Sequence, residues 1–222
     1  MKRSLILFSL CLSAAGVFSQ NTVGIKAGFG LTCIQSEYHY AIDHQDYMRP
    51  SGLIGFVYQH EFPRHSVIGV GLEGFNLRGK MHTEKTAWGE HEDSLGIIKR
   101  DLWRTVNYLS VPVYYGFRIR QLTVSVGVRT AFMVNSRGMD EVEYPDLYGH
   151  IINDKQELTD LHLCKVSVGP MLALHYQPAE RWEIELNYWY GMNNINATAE
   201  ALELHPHAAI LGLTYNLITF PK

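Results

Sequence analysis

Glu183 and Glu185 are the residues whose spacing most directly suggests chemistry. In an extended strand they share one face roughly 7 Å apart, a separation that suits a paired acid and base. Strand alternation places Lys26, Glu61, Glu73, Arg118, Arg129, Lys165 and His175 on the same kind of face. This set reads as an interlocking network of ion pairs and water, with a proton relay or small ion path as the alternative, because isolated charges in a narrow, low-dielectric interior must be paired or hydrated. The 11 histidines offer a second chemistry. His39, His44, His82, His91, His150, His162, His205 and His207 lie in or near long polar segments, and His205-Pro206-His207 presents two imidazoles, a common metal-ligand type. No HExxH or CxxC spacing accompanies them, and no Ser, His and acid trio of the kind a lipid-acting nucleophile needs is specified around His60, Ser66 or His162. The expectation is therefore no catalytic residue, no cofactor and no metal.

The elements that must position these residues are strands. From residue 22 onward, apolar side chains alternate with Gly, small, polar or charged ones over 22–33, 51–62, 66–79, 106–119, 122–134, 162–176, 182–192 and 205–220. That period of two predicts eight strands, each with one wet and one dry face. In the third, the alternation becomes ambiguous after Gly74, where a bulge is expected. The links alternate as well. Pro63-Arg64-His65, Arg120-Gln121 and Gln177-Pro178-Ala179-Glu180 are tight, whereas 34–50, 80–105, 135–161 and 193–204 are long, polar and irregular.

Which face is dry follows from glycine. Val23, Ile25, Ala27, Phe29 and Leu31 oppose Gly24, Lys26, Gly28 and Gly30, and Leu122, Val124, Val126 and Val128 oppose Thr123, Ser125, Gly127 and Arg129. Small residues suit the inside of a barrel of about eight strands, where opposing side chains share little space. The aliphatic face is then the outside, and such an outside is soluble only in lipid. Tyr58, Phe62, Phe117, Tyr176, Trp182 and Tyr215 are expected in an interfacial girdle near the short links. The expected fold is all-β: an eight-stranded, antiparallel, up-and-down transmembrane β-barrel whose interior is filled, which disfavours a diffusion pore.

The opening MKRSLILFSLCLSAAGVFSQ reads as a secretory signal peptide over residues 1–19, cut between Ser19 and Gln20, followed by one barrel domain over 20–222. Lys2 and Arg3 leave with it, so the 19 basic side chains fall to 17 against 22 acidic ones. No clustered basic face points to nucleic acid. No later segment reaches the about 20 apolar residues of a spanning helix, which leaves a closed barrel as the spanning solution. Cys33 and Cys164 fall on strands that are not neighbours and are expected as separate thiols.

Tyr108-Leu109-Ser110-Val111-Pro112-Val113-Tyr114-Tyr115-Gly116-Phe117 resembles the tyrosine-leucine-x-hydrophobic-proline strand of PorT-like outer-membrane barrels of the Bacteroides group. Val23-Gly24-Ile25-Lys26-Ala27-Gly28, Gly71-Leu72-Glu73, Val168-Gly169-Pro170 and Leu186-Asn187-Tyr188-Trp189-Tyr190-Gly191 are similar to other strands of that family. Pro112 is its most specific piece, since proline inside a strand removes a ladder donor. The chain departs from many outer-membrane barrels in ending Phe220-Pro221-Lys222, with the aromatic not terminal. The resemblance implies an eight-stranded barrel in a Gram-negative outer membrane, brings no catalytic residue or ligand, and includes one member type associated with a protein-secretion apparatus. The expected role is structural or interaction-based: a monomer in outer-membrane lipid whose outer loops meet a protein or glycan. Trp88, Trp103, Tyr144, Tyr148 and the acidic pair Asp140-Glu141 are the contact candidates. A lipid-modifying enzyme, or a component of a protein-secretion apparatus, is the alternative.

Overall fold

The computed structural model describes residues 20–220 apart from 39–43, 64, 89–93, 147, 149, 160 and 198–201. The expected signal peptide, residues 1–19, lies outside the described residues, as do His39 and His91. Nine strands run in chain order: β1 (Gln20–Tyr38), β2 (His44–Glu61), β3 (Ser66–Trp88), β4 (Ser94–Ile119), β5 (Leu122–Pro145), β6 (Ile151–Leu158), β7 (Val166–Ala179), β8 (Trp182–Tyr190) and β9 (Leu202–Phe220). All pairings are antiparallel. Sequential neighbours pair from β1 to β5, β5 continues to β7, then to β8 and β9, and β9 pairs back with β1. β6 lies outside that circuit, paired with the far end of β5.

The expected eight strands become nine because the segment 135–161 is not an irregular loop. It folds as a hairpin of β5 and β6, held by Lys155 to Glu141 at 2.8 Å. The Asp146 carboxylate closes its turn by accepting the backbone N–H groups of Tyr148 and His150. Both faces of β6 are polar or exposed, so apolar alternation could not announce it. The expected loops 34–50 and 80–105 are corrected in the same way. β1 runs to Tyr38, and β3 and β4 pair out to Trp88 opposite Ser94.

The tight links between β2 and β3 and between β4 and β5 are where expected; the third is shorter than expected, Glu180–Arg181, because β7 runs on through Gln177 and Pro178 to Ala179. His65 and Arg120 take positive φ (62° and 57°), the left-handed conformation that short hairpin turns require. The bulge expected in β3 is absent: buried and less buried residues alternate without a break from Val67 to Thr83. The extra residue sits in β2, where the register with β3 shifts between Met48 and Leu53. Opposite Pro112 the β3–β4 ladder skips Gly71 and Leu72, as a residue without an N–H requires.

The sign of the faces is as expected. Val126, Leu172 and Leu186 are more than half exposed, as are Phe29, Ile54 and Phe56 on the other wall. The exposed apolar run on β4 from Leu109 to Ile119 measures roughly 33 Å along the strand, or about 25 Å along the axis at barrel tilt. Inside, glycine makes room: a Cβ on Gly69 would enter the Tyr114 ring, and one on Gly212 would lie 3.1 Å from Cε of Lys26. Glycine and charge do not fill the whole interior, however. Toward the long-hairpin end, Ile34, Phe75, Leu77, Val106, Tyr108 and Trp189 form an apolar plug with Leu163, Ile195 and Leu204.

Candidate functional site

The interior below that plug is polar. Lys26 on β1 reaches Glu73 on β3 at 2.8 Å and Glu185 on β8 at 2.7 Å. Glu73 also accepts from Arg129 on β5 at 2.8 Å. His175 on β7 lies 3.0 Å from Glu183 and 3.6 Å from Glu185, and Gln59 on β2 donates to Glu183 at 2.8 Å and to the Tyr114 hydroxyl at 3.0 Å. Strand parity aims all these side chains inward, and antiparallel register brings Glu185 level with His175. The six ionisable members are almost wholly buried, Arg129 completely. Two fixed cations face three carboxylates, so a protonated His175 makes the cluster neutral.

Of the nine predicted interior residues, Lys26, Glu73, Arg129, His175, Glu183 and Glu185 form this network. Arg118 and Glu61 form a separate pair at 2.7 Å near the short turns. Lys165 joins neither: β7 begins at Val166, so Lys165 stands at the rim, exposed. Glu183 and Glu185 do share a face: both lie beside His175, and beyond it Glu183 accepts from Gln59 and Glu185 from Lys26.

The structure also assembles a trio that no spacing revealed. Ser125 Oγ lies 2.9 Å from His175 Nε2, and His175 Nδ1 lies 3.0 Å from Glu183. This is the order of a nucleophile, a base and an orienting acid. It is sealed: Ser125, His175 and Glu183 are each 2% exposed, and the Tyr114 ring stacks on His175 at 5.2 Å. A reacting carbonyl has no place beside Ser125, so the trio reads as part of the packing.

His175, Glu183 and Glu185 place one donor atom each within 4.8 Å of one another, as do Glu37, Glu203 and His205. The first set is already bonded to Lys26 and Gln59. His205 and His207 do not converge on one site. His207 is held by the Tyr188 hydroxyl at 2.8 Å and Gln35 at 2.7 Å, while His205 contacts Glu203 at 3.3 Å.

The outer contact candidates are dispersed. Tyr148 is 86% exposed at the β5–β6 turn, and Tyr144 faces outward on β5. The backbone of Trp88 ends β3, while its side chain lies outside the described residues. Trp103 is half-buried beneath two cations, Arg49 at 4.4 Å and Lys80 at 4.7 Å from its ring. The acidic pair is not free: Arg100 holds Asp140 at 2.5 Å, and Lys155 holds Glu141.

Beside Trp103, Asp101 accepts from Lys80 at 2.7 Å and from His82 at 2.6 Å. That hydrogen bond raises the His82 imidazole above its ordinary value near 6.5. Burial pushes the Asp101 carboxyl up, but the bonds from Lys80 and His82 outweigh it and hold it below the usual range. A raised folded-state value means that the contribution of His82 is complete below its unfolded value and is lost as pH rises through the folded one. In an NMR titration, Asp101→Asn is expected to return His82 toward 6.5; an unchanged midpoint would show that Asp101 does not set it.

No protein-family model and no curated protein matches the chain. Solved structures do. Neisserial surface protein A is 8% identical over 88% of this chain and 97% of its own, with a TM-score of 0.42. Ail of Yersinia pestis, solved with the heparin analogue sucrose octasulfate, is 14% identical over 92% and 100%, with a TM-score of 0.38. The outer membrane protease OmpT from Escherichia coli is 9% identical over 90% and 97%, also with a TM-score of 0.38. Identities of this size with TM-scores below 0.5 bring no ligand, partner or activity to this chain.

Proposed function

We propose that this chain is a small, non-enzymatic outer-membrane protein of a Gram-negative bacterium: an eight-stranded barrel with β6 as an external hairpin arm, a filled interior, and four extracellular connections available to a protein or glycan. The observation that carries this reading is the continuous exposed belt of Leu, Val, Ile and aromatics around a fully buried, ion-paired interior. Water would not support such an outside, and a channel would not support such an inside. The PorT-like strand motifs agree with it. Cleavage after Ser19 and a monomeric state belong to the same reading.

Detergent-extracted protein should migrate as a compact form on unheated gels and shift on boiling. Recovery of the chain in the soluble periplasmic fraction would sink the proposal. Val126→Arg, on the lipid face, is expected to cost about 2–4 kcal/mol of folding stability in bilayers; a change within experimental error would reverse the assignment of faces. The alternative, a lipid-acting enzyme, gains nothing from the sealed Ser125–His175–Glu183 trio, and lipid chemistry tests it directly. Acylation patterns of membrane lipid identical with and without the protein would leave the binding role alone.

A further inference from the structure

On the outer wall of β3, β4 and β5 the apolar belt stops abruptly. Leu72, Leu109, Phe132 and Val134 are its last exposed members there. The next outward row is Asn76, Asn107 and Asn135, paired across the three strands, with Asn107 donating to Asn135 at 2.6 Å. One step farther out, Thr105 on β4 is flanked directly by Arg78 on β3 and Arg137 on β5. Both arginines are exposed, and neither has an acidic partner among the described residues. The two Cα positions are two strand spacings apart, about 10 Å, so both guanidinium groups can close on one group above the Thr105 hydroxyl. The row beyond holds Lys80 opposite Trp103, with Arg49 over the same ring.

We infer that this wall is a docking site for the phosphorylated headgroup of an outer-leaflet lipid. The inference rests on the membrane reading above. The site is built in the order in which a lipid is built: an apolar surface for acyl chains, an amide row at the polar boundary, then two unpaired arginines able to grip a phosphate in bidentate fashion. Lys80 and Arg49 add positive potential behind them, although Lys80 also serves Asp101. The feature belongs to one wall and is not a ring around the barrel. On β1 and β9 beyond the belt, Glu37 stands opposite Glu203, and neither Thr32–Tyr38 nor Tyr188–Ala208 contains a Lys or Arg. A phosphate thus finds two guanidinium groups on one wall and no cation on the other.

The test uses the full chain in phosphatidylcholine nanodiscs supplemented with lipid A bearing both phosphates, or with the same lipid after phosphate removal. Native mass spectrometry after mild detergent release reads the lipid retained. The unmodified chain should retain the phosphorylated lipid and not the dephosphorylated one. The double substitution Arg78→Gln with Arg137→Gln should lower retention about tenfold or more. Arg181→Gln, at the opposite end, should leave it unchanged. Equal retention by the double variant, equal retention of the phosphate-free lipid, or displacement by millimolar inorganic phosphate would overturn the inference. Gel mobility separates the two levels of failure. A chain that gives the compact heat-modifiable form but shows no phosphate preference defeats the lipid site alone, whereas one that never gives that form defeats the membrane reading with it.

Discussion

Glu73→Ala should lower the unfolding free energy by about 3–5 kcal/mol, the range for breaking a buried ion pair by removing one partner. Glu73 is 1% exposed and is the only carboxylate among the described residues that meets both Lys26 and Arg129. Without it, Lys26 keeps Glu185, but Arg129 keeps no acid, and its Nε and Nη1 atoms are already without partners. A fully buried guanidinium is then left with only the faces of Phe75 at 5.4 Å and Trp189 at 6.0 Å. Urea titration of detergent-folded protein measures the loss. The compensating double variant, Glu73→Leu with Arg129→Met, removes both charges at similar volume and should recover most of it. If Glu73→Ala costs less than about 1 kcal/mol, water reaches the cluster and the interior is not a sealed network.

The network was legible one residue at a time and illegible as a set. Parity along a strand places Lys26, Glu73, Arg129, His175, Glu183 and Glu185 inside, because a period of two needs no knowledge of neighbours. Which of them touch depends on register across strands and on distances through the lumen. Ser125, His175 and Glu183 sit on three strands, and no local pattern joins them. Parity also assigned Lys165 to the interior. It failed there because parity says nothing of where a strand starts, and β7 starts one residue later. The outer hairpins were missed for a related reason. Beyond the belt the outer face is polar, and along β6 both faces are, so apolar alternation fades and cross-strand pairs such as Lys155–Glu141 take over the work of holding strands together. The arginine row arises in that same region, visible only once β3, β4 and β5 are aligned.

The apolar plug leads to the second large expectation. Trp189→Ala should cost about 3–5 kcal/mol, the range for truncating a buried aromatic. Trp189 is fully buried, packs edge-on to Phe75 at 5.8 Å, and supports Arg129 from above. Its removal opens a cavity at the junction of the two interior layers, and neither layer can collapse into it. Above stand Leu77, Val106 and Tyr108 on strands fixed by their ladders; below, Arg129 is tied to Glu73. Equilibrium unfolding measures the cost, and planar-bilayer conductance measures the consequence. The ion-paired layer crosses the lumen by itself, so Trp189→Ala should remain non-conducting, whereas Trp189→Ala combined with Glu73→Ala should begin to leak. If Trp189→Ala alone conducts, the plug is the only seal and the charged layer beneath it is already wet. The division matters for function: with two independent seals, the substitutions that perturb the outer hairpins and the arginine row can be made without opening the membrane, and their effects on lipid retention then report on docking rather than on leakage.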